Sequence, residues 1–183
     1  MWLSRENRHE FFTGLYNQSF AYVYAYVFAR TAGNGQLTEE IVQDTFTAAW
    51  LSLGEFKQRS SWRTWLCSIA KNKLRESYRR EILKEKLELL DNGSLDERPS
   101  GIALEEIVLD NETRLNVLRV LEGITPLYRY ALILKYMDGM RVKEIAGVLD
   151  RSAKAVDGIL QRAKNVFEKA YLMLEGSDRN DKR

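Results

Sequence analysis

Cations and aromatic rings interleave between Phe56 and Arg80, where Trp62, Trp65 and Tyr78 stand among Arg59, Arg63, Lys71, Lys73, Arg75, Arg79 and Arg80. This mixture suits nucleic acid. Cations hold phosphates, and rings receive bases that have left the stack, at roughly 1–3 kcal/mol per base. Phe56 to Lys86 holds ten basic and three acidic residues, whereas Leu87 to Glu112 holds eight acidic residues and only Arg98 as a cation. The charge reverses sign within a chain whose formal total is only +2, so its placement carries the argument.

A second stretch points the same way. Val142 to Leu149 reads as a short helix, Asp150-Arg151-Ser152 as a turn, and Ala153 onward as a longer helix, which is helix-turn-helix spacing. Ile145, Ala146, Leu149, Val156, Ile159 and Leu160 face inward, and Ser152 is placed to cap the second helix. Lys154, Asp157, Gly158, Gln161 and Arg162 then face outward. Gln and Arg can pair bidentately with base edges, while Lys serves as a phosphate contact. The same pattern would also serve a plain helical hairpin.

Catalytic and metal chemistry find little support. His9 is the only histidine and Cys67 the only cysteine, so no metal-ligand spacing, disulfide framework or nucleophile–base pair can be assembled. Neither a phosphate loop nor a nucleophile elbow occurs, and no cofactor is implied. Cys67, between Leu66 and Ile69, reads as a small buried or half-buried thiol. No apolar run is long enough to cross a bilayer, and the first residues lack the pattern of a secretory leader, so the cytoplasm is the expected location.

The elements that must position these groups read as all-α. A first helix carries Phe11, Phe12, Leu15, Phe20, Val23, Tyr24, Val27 and Phe28, with Ser4 as its cap and Gly33-Asn34-Gly35 as its end. Thr38 is expected to cap a second helix whose inner face is Ile41, Val42, Thr45, Phe46, Ala49, Trp50 and Leu53, closed by Gly54. A third helix follows Ser60, with Trp65 expected in the core. The polar, turn-rich run 91–100 forms the centre of an acidic linker over 87–111. Helices resume at Leu104 or Asn111. Thr125-Pro126 starts another, continuing to Met137. The last helix is expected to end near Leu174, before a frayed polar tail. Two helical domains result, at 1–86 and 112–176, with a tail at 177–183.

Three segments, in order, resemble the extracytoplasmic-function (ECF) class of RNA polymerase sigma factors in the sigma-70 family. Leu37 to Leu53, with Glu39-Glu40-Ile41-Val42-Gln43-Asp44-Thr45-Phe46 and Ala49-Trp50, resembles sigma region 2.2. Ser61-Trp62-Arg63-Thr64-Trp65-Leu66, Ile69-Ala70-Lys71-Asn72 and the basic residues to Arg80 resemble regions 2.3 and 2.4. Ile124 to Phe167, including Glu144-Ile145-Ala146, resembles region 4.

The resemblance implies a sigma factor that binds core polymerase, reads duplex DNA at the −35 element, and melts and reads the −10 element. Glu40, Gln43, Asp44 and Thr47 would dock on the β′ clamp helices, and region 4 on the β flap. Arg59, Ser60, Ser61, Trp62, Lys71, Asn72, Arg75, Tyr78, Arg79 and Arg80 would handle −10 DNA, with the Phe56–Ser61 loop as a pocket for a flipped base. Arg151, Ser152, Lys154, Asp157, Gly158, Gln161 and Arg162 would face −35 DNA. The acidic linker would enter the polymerase channel that later holds RNA, and an anti-sigma protein would hold the factor inactive. Departures fall in region 4: Asp157 stands where a cation is usual, Gly158 lowers helix propensity, Arg141 replaces a hydroxyl cap and Asp150 a turn glycine. Asp157 and Gly158 favour, as the alternative, a sigma-like regulator acting through protein partners, against which the basic and aromatic run Trp62–Arg80 argues; a two-domain repressor or activator would instead bind duplex DNA without polymerase.

Overall fold

The computed structural model describes residues 5–57, 59–92 and 112–181, with side chains over 7–57, 59–90 and 112–176. Among these residues every regular element is helical: α1 (Arg5–Arg30), α2 (Gly35–Ser52), a 3-10 turn (Leu53–Glu55), α3 (Trp62–Asn92), α4 (Glu112–Gly123), α5 (Pro126–Leu132), a π turn (Ile133–Met137), α6 (Val142–Leu149) and α7 (Ala153–Asp181). The chain forms two compact units, Met1–Arg75 and Glu76–Arg183, and the division falls inside α3.

In the first unit α1 and α2 pack through Val23, Val27, Phe28, Ile41, Val42 and Phe46, and α3 contributes buried Leu66, Ala70 and Leu74. The reversal between α1 and α2 uses left-handed backbone at Ala32 (φ 55°) and Gly33 (φ 84°). The cap of α2 is Asn34, whose side chain accepts from the Leu37 N–H at 2.9 Å. Thr38, expected in that role, lies one turn inside the helix. Its hydroxyl donates to the Asn34 carbonyl at 2.6 Å and meets the buried Thr31 hydroxyl at 2.7 Å. Asn34 takes the cap because it precedes the helix in extended backbone, which frees its carboxamide to fold onto the first turn. At the other end α2 stops at Ser52 and tightens into the 3-10 turn; Gly54 is not its terminator.

In the second unit the centre is Tyr130, Ile133, Leu134, Ile145, Val156 and Ala163, all at most 1% exposed. Arg129, only 5% exposed, organises this unit by charge. Its guanidinium donates to the carbonyls of Leu121 (2.8 Å), Glu122 (2.6 Å) and Ile124 (3.1 Å), groups that the end of α4 leaves without helical partners. It also pairs with Glu81 of α3 at 3.9 Å, and the same carboxylate accepts from the Tyr130 hydroxyl. Burial first, then the negative charge of Glu81, raises the Tyr130 pKa well above the usual phenol range.

Several boundaries differ from the sequence expectation. The helix begun at Pro126 keeps α geometry only to Leu132 and then widens by one π turn. Helix α3 continues to Asn92, past the point where the linker was expected to begin. The last helix continues to Asp181, beyond the expected end near Leu174. Ser4 and residues 93–111 lie outside the described residues.

Arg129→Met nearly keeps the volume and removes the charge, leaving three carbonyls without their donor. Glu81 keeps the Tyr130 hydroxyl but loses its cation, and the variant should lose about 3 kcal/mol of stability. Urea unfolding followed by far-ultraviolet circular dichroism reads this directly, and a wild-type midpoint would contradict it.

Candidate nucleic-acid interface

Helix α6 begins where the Arg141 N–H donates to the Glu144 carboxylate at 2.7 Å, so a first-turn acid replaces the hydroxyl cap that Arg141 cannot supply. It ends at Asp150 in left-handed backbone (φ 52°), which aspartate tolerates better than most non-glycine residues. The Ser152 hydroxyl then accepts from the Ala155 N–H at 3.2 Å and caps α7 as its sequence position implied. Ile145, Val148, Leu149, Val156 and Ile159 are buried between the helices, with Ala146 and Leu160 half-buried. Arg151, Ser152, Lys154, Asp157, Gln161 and Arg162 are exposed, and Gly158 is half-buried.

Gly158 has a role that the sequence did not disclose. The Arg162 guanidinium folds back over it, so a Cβ at Gly158 would sit 3.3 Å from Nη1. Arg162 Nε also donates to the Tyr128 hydroxyl at 3.3 Å. The absent side chain gives Arg162 a resting place along its own helix, one turn from Asp157.

The basic and aromatic residues of the first two-thirds of the chain divide between the two units. In the first, Arg59, Ser60 and Ser61 are exposed ahead of α3, and the Ser61 hydroxyl accepts from the Thr64 N–H at 3.2 Å. Trp62 packs on Phe56 with centroids 3.8 Å apart, on Phe11 at 5.2 Å and on Trp65 at 5.5 Å. Trp65 is half-buried, not in the core as expected, because it closes this aromatic cluster at the surface. Asn72 is exposed further along α3, with Lys71 and Arg75 half-buried. Burial is the largest influence on Cys67 and raises its thiol pKa, against opposing effects of Arg30 and the Tyr22 hydroxyl. This is not the environment of an activated nucleophile.

The last three expected −10 residues belong to the second unit, and two of them are engaged there. Tyr78, 1% exposed, stacks on Tyr130 with centroids 3.9 Å apart and planes 18° from parallel, so its ring is not available to a base. Arg79 donates to the carbonyls of Val148 (2.8 Å) and Gly147 (3.1 Å), satisfying the C-terminal end of α6. Arg80 is exposed.

On α2, Glu40, Gln43, Asp44 and Thr47 are all exposed at helical spacing on one face. Gln43 and Thr47 border a cavity of about 550 Å³ walled by Phe12, Tyr16, Phe20 and Phe46. Tyr16 and Phe20 are more than a third exposed, although helical spacing alone reads as core. An aromatic residue at every fourth position from Phe12 to Phe28 is the sequence signal that marks this ridge.

Among the described residues, a capped helix-turn-helix in one unit and exposed cations beside aromatic rings in the other are features that suit DNA binding. The family model for Sigma-70 region 2 matches residues 15–82, and that for Sigma-70, region 4 matches residues 114–165. The RNA polymerase sigma factor CnrH of Cupriavidus metallidurans is 34% identical over 131 residues, covering 69% of each chain. The sigma factor YlaC of Bacillus subtilis is 30% identical over 159 residues, covering 85% of this chain and 88% of its own. The ECF sigma-E factor of Escherichia coli is 28% identical over 135 residues, 70% of this chain and 71% of its own. Among solved structures, CnrH in complex with the cytosolic domain of CnrY aligns with a TM-score of 0.40 at 27% identity, covering 90% of this chain and 88% of that one. RpoE of Bartonella quintana in complex with the anti-sigma factor NepR gives 0.46 at 20% identity, covering 87% and 95%. The chain belongs to the sigma-70 family of RNA polymerase sigma factors, as a member of the ECF class. Its function is promoter-directed transcription initiation with core RNA polymerase, and it is not an enzyme.

The contacts of Arg79 separate a helix-capping role from a purely DNA-contacting one. Arg79→Ala should destabilise the free protein by about 1–2 kcal/mol, whereas Arg80→Ala should leave stability within about 0.5 kcal/mol of wild type. Thermal unfolding without DNA or polymerase measures both. Equal, negligible shifts would remove the capping role.

Proposed function

We propose that residues 1–86 form the domain that engages core polymerase and −10 DNA, and residues 112–176 the domain that reads the −35 duplex, joined by the acidic segment 87–111 and followed by a polar tail, 177–183. The observation that carries the −35 assignment is the exposed face of α7 behind its Ser152 cap. Lys154 contacts a phosphate, Gln161 reads a base edge, and Arg162 swings from its rest over Gly158 to do the same. Arg151 and Ser152 approach the backbone at the helix start. Asp157 selects a cytosine amino group or weakens the contact by repulsion, which sets this −35 preference apart from one read by a cation.

Glu40, Gln43, Asp44 and Thr47 dock on the clamp helices of the β′ subunit, and region 4 docks on the β flap. Arg59, Ser60, Ser61 and Trp62, followed along α3 by Lys71, Asn72 and Arg75, hold opened −10 DNA. Arg80 extends this contact, and Tyr78 and Arg79 join it only if they leave their contacts with Tyr130 and α6. The factor works in the cytoplasm. An anti-sigma protein regulates it; RpoE of Bartonella quintana forms a complex with the anti-sigma factor NepR, and CnrH one with the cytosolic domain of CnrY.

Run-off transcription with the purified chain, core polymerase and a library of promoter fragments tests this reading. Initiation should depend on the chain and select a shared pair of elements. Lys154→Ala should weaken promoter binding uniformly and lower the salt slope by about one, while Gln161→Ala should relax preference at one −35 position by about 1–3 kcal/mol. Core binding without initiation would instead favour a regulator acting through protein partners.

A further inference from the structure

Tyr128 stands on α5, half-buried, one residue before Arg129, whose carbonyl contacts anchor that turn. Helix α5 packs on α7, and the Tyr128 hydroxyl accepts there from Arg162 Nε at 3.3 Å. Of the five N–H donors of a guanidinium, this contact takes the one on Nε. The two terminal nitrogens keep theirs, and they form a fork that can meet O6 and N7 of a guanine side by side. Arginine is among the side chains with most rotamer freedom to lose. A hydrogen bond that orders it before DNA arrives therefore strengthens whatever base contact it then makes.

Gly158 supplies an independent observation. It lies inside α7, where glycine is the poorest helix former after proline, and its backbone has no positive φ to call for a glycine. What its missing side chain does provide is room. A Cβ there would stand 3.3 Å from Arg162 Nη1 and 3.8 Å from Nη2, so a side chain would push the fork from its place. Gly158 is four residues before Arg162. Laid back over it, the fork sits about 6 Å nearer the start of α7, the end of a recognition helix that meets base edges.

We infer that Tyr128 is a positioning residue for −35 readout: it keeps hold of Arg162 Nε while the terminal nitrogens leave Gly158 and pair with a guanine. The inference rests on the −35 reading proposed above and adds α5 to a surface that sequence analysis confined to residues 151–162. Arg162 thus turns about a held nitrogen instead of searching from free rotation. Because Nε is taken, only the fork faces the groove, and the acceptor pair of guanine is the base edge that a fork of two donors fits.

The test uses holoenzyme assembled from the full chain and core polymerase, on a promoter that the wild type initiates from. Each −35 base pair is replaced in turn by the other three, and binding is measured. Arg162→Ala marks the position that Arg162 reads: the wild type should prefer guanine there about tenfold, and the variant should lose that preference. Tyr128→Phe keeps the ring and removes only the acceptor. It should cut the preference at the same position about threefold, leaving the other positions and the melting temperature of the free chain unchanged. In the Arg162→Ala background the same substitution should change nothing, since both act through one guanidinium. Gly158→Ala should raise the melting temperature yet weaken the guanine preference, two changes that a merely structural role would not set in opposition. A Tyr128→Phe holoenzyme with the wild-type preference overturns the inference, as does one that binds more tightly, which would make Tyr128 a restraint that DNA must break. An Arg162→Ala holoenzyme weakened alike at every position overturns it too, by showing a phosphate contact. Those results leave the sigma reading intact, whereas failure of the wild type to initiate anywhere would sink that reading and this inference with it.

Discussion

A buried guanidinium must find an acceptor for its donors, and in the second unit that requirement falls on Arg129. It finds them at the end of α4, where three carbonyls lack helical partners, and in the carboxylate of Glu81. One side chain thereby completes a helix terminus and ties α4 and α5 to α3. Tyr130, the next residue, stacks on Tyr78 and donates to the same carboxylate. The helix-turn-helix is built on this arrangement, because Tyr130 and the buried faces of α6 and α7 share one core. A buried ion pair adds little net stability compared with an apolar substitute, but losing one partner is costly, and that asymmetry makes the packing specific.

The first unit meets a different constraint. A surface that handles single-stranded DNA must keep rings and cations at the solvent boundary, where burial would otherwise claim the rings. The unit manages this by packing rings against rings. Trp62 rests on Phe56 and Phe11, and Tyr16 and Phe20 rest on Phe46. Trp62, Tyr16 and Phe20 each lose part of their apolar surface to a neighbour and keep an accessible part, while Phe46 is buried beneath them. The core beneath is mainly aliphatic, from Val23 and Val27 to Leu66, Ala70 and Leu74, with Phe28 and Phe46 buried among them. The residues of this unit expected to meet DNA and polymerase are therefore largely distinct from those that hold it together.

The readable parts of the sequence were those governed by local chemistry. Ser152 caps α7 because its hydroxyl reaches an N–H three residues on, a contact settled within one turn. Thr125-Pro126 starts α5 for a similarly local reason. The competition between Asn34 and Thr38 was not readable, since both are good caps and the fold used Thr38 to fill a buried hydroxyl pair with Thr31. The residues expected to face polymerase and −35 DNA lie, Gly158 apart, at exposed positions, because amphipathic spacing determines which face of a helix is exposed.

By itself the sequence determined the all-helical class, the order of the two sigma regions, the capped helix-turn-helix and the basic, aromatic character of α3. These follow from backbone propensity, side-chain spacing and charge, which need no knowledge of distant neighbours. Only the tertiary structure decided that Tyr78 stacks in a core and that Arg79 caps α6. The reason is physical. A periodic pattern says which face of a helix is apolar, but the partner that covers that face lies tens of residues away along the chain. A tyrosine or an arginine at the margin of the face takes its role from that partner.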